Sequence, residues 1–496
     1  MNDTPQPVAG PSADEKRAAL ARLLKEKAIE TTSFYPLSHG QQALWFLQRL
    51  APNSAAYNVM YAWRICSGCD VSVLRRAFQS LVDRHPALRT TFTTRNGEPI
   101  QQIHRRQEVC FEVTDASAWS QQELGHHLAK VAYSPFDLEQ GPVLRINMFT
   151  RSGQAPVLLL TAHHIIVDGW SLQVLLEELG QLYSAIRDDV QLSLALLEMQ
   201  YTDYVRWQTR LLASPEGEQL WRYWQQQLAG ELPVLNLPTD RPRPPVQTDR
   251  GASHAFPLPE ELVKDLKSLA RGEGMTLYVV LLAAFQVLLH RHTGQTDILV
   301  GSPAAGRSRP EFMRTVGYFV NMFVLRGDLG GNPVFKAFLH QVRRTVLSAL
   351  EHQDYAFPLL VDRLQPSRDP SHSPLFQAVF VLQSALRQQM HRAGQPGEQA
   401  GVSPLGVFSP GEMGTRLSVG ELVFEPFPLE QRVAPFDLEL EMIEAGESLS
   451  GCFQYNTDLF DAATIARMEF FLFDDLDLAD HLREEYTFPG LLIRYA

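Results

Sequence analysis

Apolar residues along the chain fall into two periods. Leu172, Leu175, Leu176, Leu179, Leu182, Tyr183 and Ile186 recur three and four apart, which predicts a helix with one apolar face. Leu74, Phe78, Leu81 and Val82 do the same within a helix over residues 71–82. Residues 275–292 are strongly apolar and read as a helix. Short runs at 157–160, 298–300, 317–325 and 376–382 read as strands, as do Phe92 and residues 109–113. A proline-rich stretch from Leu232 to Pro245 marks a linker between two lobes. The expected organisation is a tail and short helix over 1–34, a first lobe over 35–230, a linker over 231–254, a second lobe over 255–468 and an atypical acidic tail over 469–496. Within the first segment, Ser12 and Glu15 form a capping box, and Leu20, Leu23 and Leu24 stripe a charged helix to about Ile29. Residues 386–414, rich in Gln, Gly and Pro, read as an irregular insertion or a crossing loop.

Composition narrows the picture. A chain of 496 residues, 45% hydrophobic, holds two or three units with real cores. Its net charge of −12 does not favour nucleic acid or an anionic membrane, so a phosphate-bearing ligand needs a local basic patch. The longest apolar stretch, 278–289, contains Gln286 and is too short to span a bilayer. The N-terminus is polar, without the apolar core of a signal peptide, and four cysteines agree with a reducing compartment; a cytoplasmic location is expected. Cys66 and Cys69 form a C-x-x-C pair around Ser67-Gly68, with no second pair to complete a metal site, and read as ordinary side chains at a strand end. No phosphate-binding loop, dinucleotide fingerprint or G-x-S-x-G elbow occurs. Leu329-Gly330-Gly331 is followed by Asn332, which offers no serine for a phosphopantetheine arm. A chain without machinery to activate an acid should receive its substrates already activated.

One polar cluster interrupts the pattern. His163-His164-Ile165-Ile166-Val167-Asp168-Gly169 lies between a strand run and a helix stripe, so it ends a strand and opens a loop through Ser171. Rigid elements on both sides suit a site of chemistry. If the strand continues to His164, the two imidazoles point to opposite faces and only one serves a given cavity. A histidine near its ordinary pKa suits general-base work at neutral pH. Asp168 either fixes a tautomer or braces the loop. The competing reading is two partly buried, hydrogen-bonded histidines with no catalytic part. A zinc site is disfavoured, because adjacent histidines point apart and no third ligand has telling spacing.

Residues 163–171, H-H-I-I-V-D-G-W-S, strongly resemble the active-site motif of nonribosomal peptide synthetase condensation domains. The resemblance extends, in family order, to S-H-G-Q-Q-A-L-W at 38–45, R-H-P-A-L-R-T-T-F at 84–92, Y-T-D-Y-V-R-W at 201–207, V-G-Y-F-V-N-M at 316–322, H-Q-D-Y-A-F at 352–357 and S-R-D-P-S at 367–371. It covers about Tyr35 to Met468. It implies the chloramphenicol-acetyltransferase-like α/β fold, two lobes in a V-shaped pseudo-dimer with an active-site tunnel between them. Donor and acceptor enter from opposite faces, each usually a thioester on a phosphopantetheine arm, and the acceptor amine attacks the donor to give an amide. No cofactor is bound permanently; the phosphopantetheine belongs to coenzyme A or to a carrier protein.

The resemblance also assigns roles by position. His164 is the tunnel-facing histidine, which either accepts the amine's proton or orients the amine and stabilises the tetrahedral state. His163 is structural. Asp168 pairs with Arg307, bracing the loop and tying the lobes together. Gly169 permits a tight turn, with its N–H a candidate donor to the oxyanion. Trp170, Ser171 and Asn321 are candidates for the tunnel wall, with structural roles as the alternative. Arg145 is a candidate for trimming the donor pocket, with a plain salt bridge as the alternative. The family usually carries alanine and arginine where this chain has Gly40 and Ala43, and only about 34 residues precede the matching region. Both features point to a starter domain for lipopeptide biosynthesis. It would use an acyl-CoA or acyl-carrier donor to acylate the first amino acid, held on a downstream carrier and loaded by an adenylation domain. The alternatives are a carrier-to-carrier domain of an elongation or hybrid polyketide–peptide module, an epimerisation domain, or an acyltransferase for a free amine or alcohol. Of another class is a non-catalytic recruitment module of the same fold, against which the intact histidine motif speaks.

Overall fold

The structure, a computed structural model, describes residues 33–192, 194–366, 369–384 and 416–477. The stripe expected over 12–29, the insertion expected over 386–414 and the chain beyond 477 lie outside the described residues. The chain runs through β1 (Ser33–Pro36), α1 (His39–Leu50), β2 (Asn58–Ile65), α2 (Val71–Arg84), β3 (Thr90–Arg95), β4 (Glu98–Ile103), β5 (Cys110–Asp115), α3 (Gln121–Ala132), β6 (Leu144–Thr150), β7 (Val157–His163) and α4 (Gly169–Arg187). Helices α5 (Tyr201–Leu212) and α6 (Pro215–Gln227) lead to β8 (Gly251–Pro257), α7 (Glu260–Gly272), α8 (Leu277–Thr293), β9 (Asp297–Ala304) and β10 (Asn321–Asp328). Then come α9 (Phe335–Glu351), α10 (Phe357–Leu364), β11 (Ala378–Ser384), β12 (Leu417–Val419), β13 (Leu422–Pro426), β14 (Leu438–Ala445), β15 (Ser448–Asn456) and α11 (Ala462–Asp477).

Two mixed six-stranded sheets organise the two lobes, ordered β12-β13-β2-β7-β6-β5 and β10-β9-β11-β14-β15-β8; β1, β4 and β3 form a smaller third sheet. Every residue of β7 is buried, which explains its unbroken apolar run. Leu74 and Phe78 of α2 and Leu172 and Leu176 of α4 cover Leu158 and Leu160 on one face. Leu124 and Leu128 of α3 cover Val157 and Leu159 on the other. Each such leucine contributes roughly 1.5–3 kcal/mol by leaving water. The second lobe is built around α8, where residues 279–289 are all buried. Its one polar residue in that run, Gln286, donates to the Leu325 carbonyl at 3.2 Å, which satisfies its amide nitrogen but not its buried Oε1.

The lobes are not the consecutive blocks 35–230 and 255–468. β13 pairs with β2, Phe424 opposite Ile65 and Pro426 opposite Trp63, so residues of the expected second lobe complete the first lobe's sheet. Leu422 and Phe424 are buried in that core, and the pairing covers an edge of β2 that would otherwise expose unmatched backbone groups. The turn between β12 and β13 sits against α4 so closely that a Cβ on Gly180 would lie 2.6 Å from the Gly420 nitrogen. In the other direction, Leu220 and Trp224 of α6 belong to the second core. β8 begins at Gly251, before the expected end of the linker. The acidic tail expected from residue 469 is also revised: α11 runs through Asp477, with Ile465, Met468 and Leu472 buried at helical spacing. Among the described residues no single helix is long and apolar enough to cross a membrane.

Candidate active site

β7 ends at His163, and His164–Ile166 forms a single 3-10 turn. The pleat therefore does not continue to His164; the turn, rather than strand alternation, sends the two imidazoles apart. The backbone of the pair is fixed from two sides. The His163 N–H donates to the Val143 carbonyl at 3.0 Å and the His164 N–H to the Tyr57 carbonyl at 2.8 Å.

His163 is 1% exposed. Its Nδ1 accepts the Ile165 N–H at 3.1 Å, so the neutral ring carries its proton on Nε2, which faces Gln48 Oε1 at 3.4 Å. Burial, with a smaller contribution from His164, depresses its pKa to about 3. His164 is the reverse tautomer. Its Nδ1–H donates to the Val167 carbonyl at 2.7 Å, which leaves the lone pair on Nε2. No hydrogen bond joins that nitrogen to another described residue. The residue is partly exposed. Burial lowers its pKa, the Asp168 charge and the Val167 carbonyl opposing. The Tyr318 ring stands edge-on to the imidazole, 5.0 Å between centroids.

Asp168 caps α4, its Oδ1 accepting the Ser171 N–H at 2.7 Å. Its Oδ2 accepts from Arg307 Nη1 at 2.8 Å and from the Phe319 N–H at 3.0 Å, with both side chains of the ion pair 1% exposed. Arg307 Nη2 adds bonds to Ser171 Oγ and the Thr315 carbonyl, both 2.9 Å, and the guanidinium lies over Phe319, 3.9 Å from the ring centroid. A buried carboxylate with three donors, one of them the Arg307 guanidinium, acts as a brace between lobes.

The remaining predicted residues are distributed around that brace. Ser171 Oγ bridges the Gly317 carbonyl and N–H at 2.9 and 3.0 Å, and Trp170 Nε1 donates to the Met313 carbonyl at 2.8 Å. Both anchor the crossover before β10. Asn321 donates to the Gln353 and Tyr355 carbonyls at 2.7 Å each and accepts the Phe357 N–H at 2.9 Å, so its amide holds the start of α10. Arg145 on β6 donates to the Ser134 and Pro135 carbonyls at 3.3 and 2.9 Å and lies 4.0 Å over Phe136; it braces a loop through carbonyls rather than through a carboxylate. Gly169 opens α4, where backbone N–H groups lack intrahelical partners.

Sequence reasoning missed Tyr318 and Tyr201. The Tyr201 hydroxyl, 2.8 Å from Ser38 Oγ, donates to the Tyr318 carbonyl at 2.5 Å, while Gln41 Nε2 donates to the Ile165 carbonyl at 3.1 Å. These bonds explain why the segments at 38–45, 201–207 and 316–322 are recognisable: they converge on one loop. The signals of Tyr318 were its place in the segment at 316–322 and the glycine at position 40 that makes room for it. His85, in the segment at 84–92, is buried against Glu178 at 2.7 Å and holds α2 to α4. No cluster of three potential metal ligands exists among the described residues. Burial pushes the Cys69 thiol up to about 11 and raises that of Cys66, so neither is an activated thiolate.

A family model described as Condensation domain matches residues 31–473. The chain is 43% identical over 439 residues to one protein of the linear gramicidin synthase of Brevibacillus parabrevis, covering 87% of this chain and 5% of that protein. It is 41% identical over 461 residues to another protein of the same synthase, covering 92% of this chain and 8% of that one. The chain thus spans less than a tenth of the length of these relatives. Among solved structures, it superposes on a four-domain nonribosomal peptide synthetase, holo-AB3403 bound to AMP and glycine, with a TM-score of 0.80 at 25% identity over 91% of this chain and 33% of that one. The fold is therefore the two-lobed α/β arrangement shared by those domains, and the chain belongs to the condensation-domain family of nonribosomal peptide synthetases.

Proposed function

We propose that the chain joins an acyl or peptidyl thioester to the amine of an aminoacyl group held on a carrier domain, forming an amide and releasing a thiol. The observation that carries this is the free Nε2 of His164, its tautomer fixed by the Val167 carbonyl. The amine nitrogen attacks the thioester carbonyl carbon, its surplus proton passes to His164 Nε2, the C–S bond breaks, and the proton leaves on the departing sulfur. A burial-lowered pKa keeps the imidazole neutral at neutral pH, ready to accept. Gly169, at the helix N-terminus, is the candidate donor to the oxyanion. Substrates bring their own phosphopantetheine, on carrier domains that an adenylation partner loads. The cytoplasm suits four unpaired cysteines.

The relatives are parts of multi-protein peptide synthetases, which supports a carrier-borne donor. A starter role with acyl-CoA is the second reading, favoured by Gly40 and Ala43 in the opening segment. Intact-protein mass spectrometry of an aminoacyl carrier separates them, with His164→Ala as control. Acylation from a carrier but not from coenzyme A establishes the first reading, acylation from coenzyme A the second, and failure with both removes condensation.

A further inference from the structure

We propose that Tyr318 is the positioning residue for the His164 imidazole, and that Gly40 is the socket that lets it act. The inference rests on the condensation reading and adds a residue to its machinery. Tyr318 comes from the second lobe, yet its ring enters the first, between Gly40 of α1 and His164. A Cβ built on Gly40 would lie 2.8 Å from Tyr318 Cε1, closer than a Cβ approaches a carbon atom, and a tight 3.2 Å from Cδ1. The ring meets His164 edge to face, at an interplanar angle of 76°.

The backbone that carries the ring is held in place. The Tyr318 carbonyl is held by the Tyr201 hydroxyl at 2.5 Å, and the next N–H, of Phe319, by Asp168 at 3.0 Å. With that peptide unit held, a side chain at position 40 displaces the ring itself, and the ring's neighbour is the imidazole. Val167 fixes one edge of His164 through Nδ1; Tyr318 limits rotation of the ring plane about that bond. Asp168 and His163 face His164 from its own segment, Tyr318 from the second lobe, and Tyr57 from the turn before β2; from α1, Gln41 bonds the neighbouring Ile165 carbonyl. Tyr318 also shields the imidazole from water, and burial is the largest cause of its lowered pKa.

The test uses the full chain with an aminoacyl carrier and a thioester donor. Gly40→Ala lowers kcat about tenfold or more with KM nearly unchanged, because misplacement harms the transition state rather than carrier docking. Combining it with Tyr318→Ala adds no further loss beyond Tyr318→Ala alone. Tyr318→Ala admits water, returns the His164 pKa toward 6.5 and moves the acid limb of kcat/KM to higher pH, whereas Tyr318→Phe, which keeps the ring, holds the limb in place. NMR titration of labelled histidine reads the same His164 shift without turnover. Additive losses, a wild-type kcat in Gly40→Ala, or an unmoved His164 pKa in Tyr318→Ala overturns the proposal. Absence of turnover in the wild type alongside a moved pKa overturns only the condensation reading.

Discussion

His163 and His164 are neighbours in sequence with opposite fates. One donates through Nε2 and has both nitrogens occupied in the first lobe's interior; the other donates through Nδ1 and keeps Nε2 without a hydrogen bond to another described residue. Burial lowers both pKa values, so burial does not distinguish them. What does is which nitrogen the backbone claims. The Ile165 N–H binds one ring and the Val167 carbonyl the other, so a single turn of chain sets two tautomers.

The sharpest way to break this contrast is His164→Ala, which is expected to cost roughly 10²–10⁴-fold in amide formation while leaving the melting temperature nearly unchanged. A matched loss from His163→Ala without loss of stability would put both rings in the reaction. Next in size is the brace beneath the pair. Arg307→Ala strands the buried Asp168 carboxylate and is expected to cost about 3–5 kcal/mol in denaturant unfolding, with activity falling as the loop loosens.

The pH behaviour of His163 sharpens the comparison further. Its folded pKa of about 3 lies below the ordinary 6.5, so between those values the unfolded chain holds a proton the folded one lacks. Its contribution to stability is whole above pH 6.5 and is lost as pH falls toward 3. The stability of wild type minus His163→Gln should therefore rise with pH across that window and level off above it; a flat difference would place His163 in contact with water. Smallest is Arg145→Ala, expected to cost about 1 kcal/mol from its carbonyl bonds and its contact with Phe136 and to leave the acyl-chain profile unchanged. A shift toward longer chains would instead return Arg145 to the donor wall.

The strand and helix around the site were legible because β7 and α4 each bury a face whose period survives in the sequence. The meeting of Asp168 with Arg307 followed from the family resemblance and from no spacing, since 139 residues separate them. The tautomers were not legible, because they depend on backbone groups of Ile165 and Val167 that every residue type carries. Tyr318 was hidden for a different reason: it acts on His164 across the lobe interface, and its mark in the first lobe is an absent side chain. The lobe boundaries failed where β13 pairs with β2, since strand partners distant in sequence leave no local period.

That pairing has a consequence for how the molecule can come apart. A fragment ending before Leu417 would leave β2 as a bare outer strand, and the remaining piece would carry a hairpin whose buried Leu422 and Phe424 have no sheet to rest on. Neither piece is a complete object, as neither half of a lap joint is a beam. Cleaved there, the two pieces should be recovered only together, each restoring the other's shape by complementation.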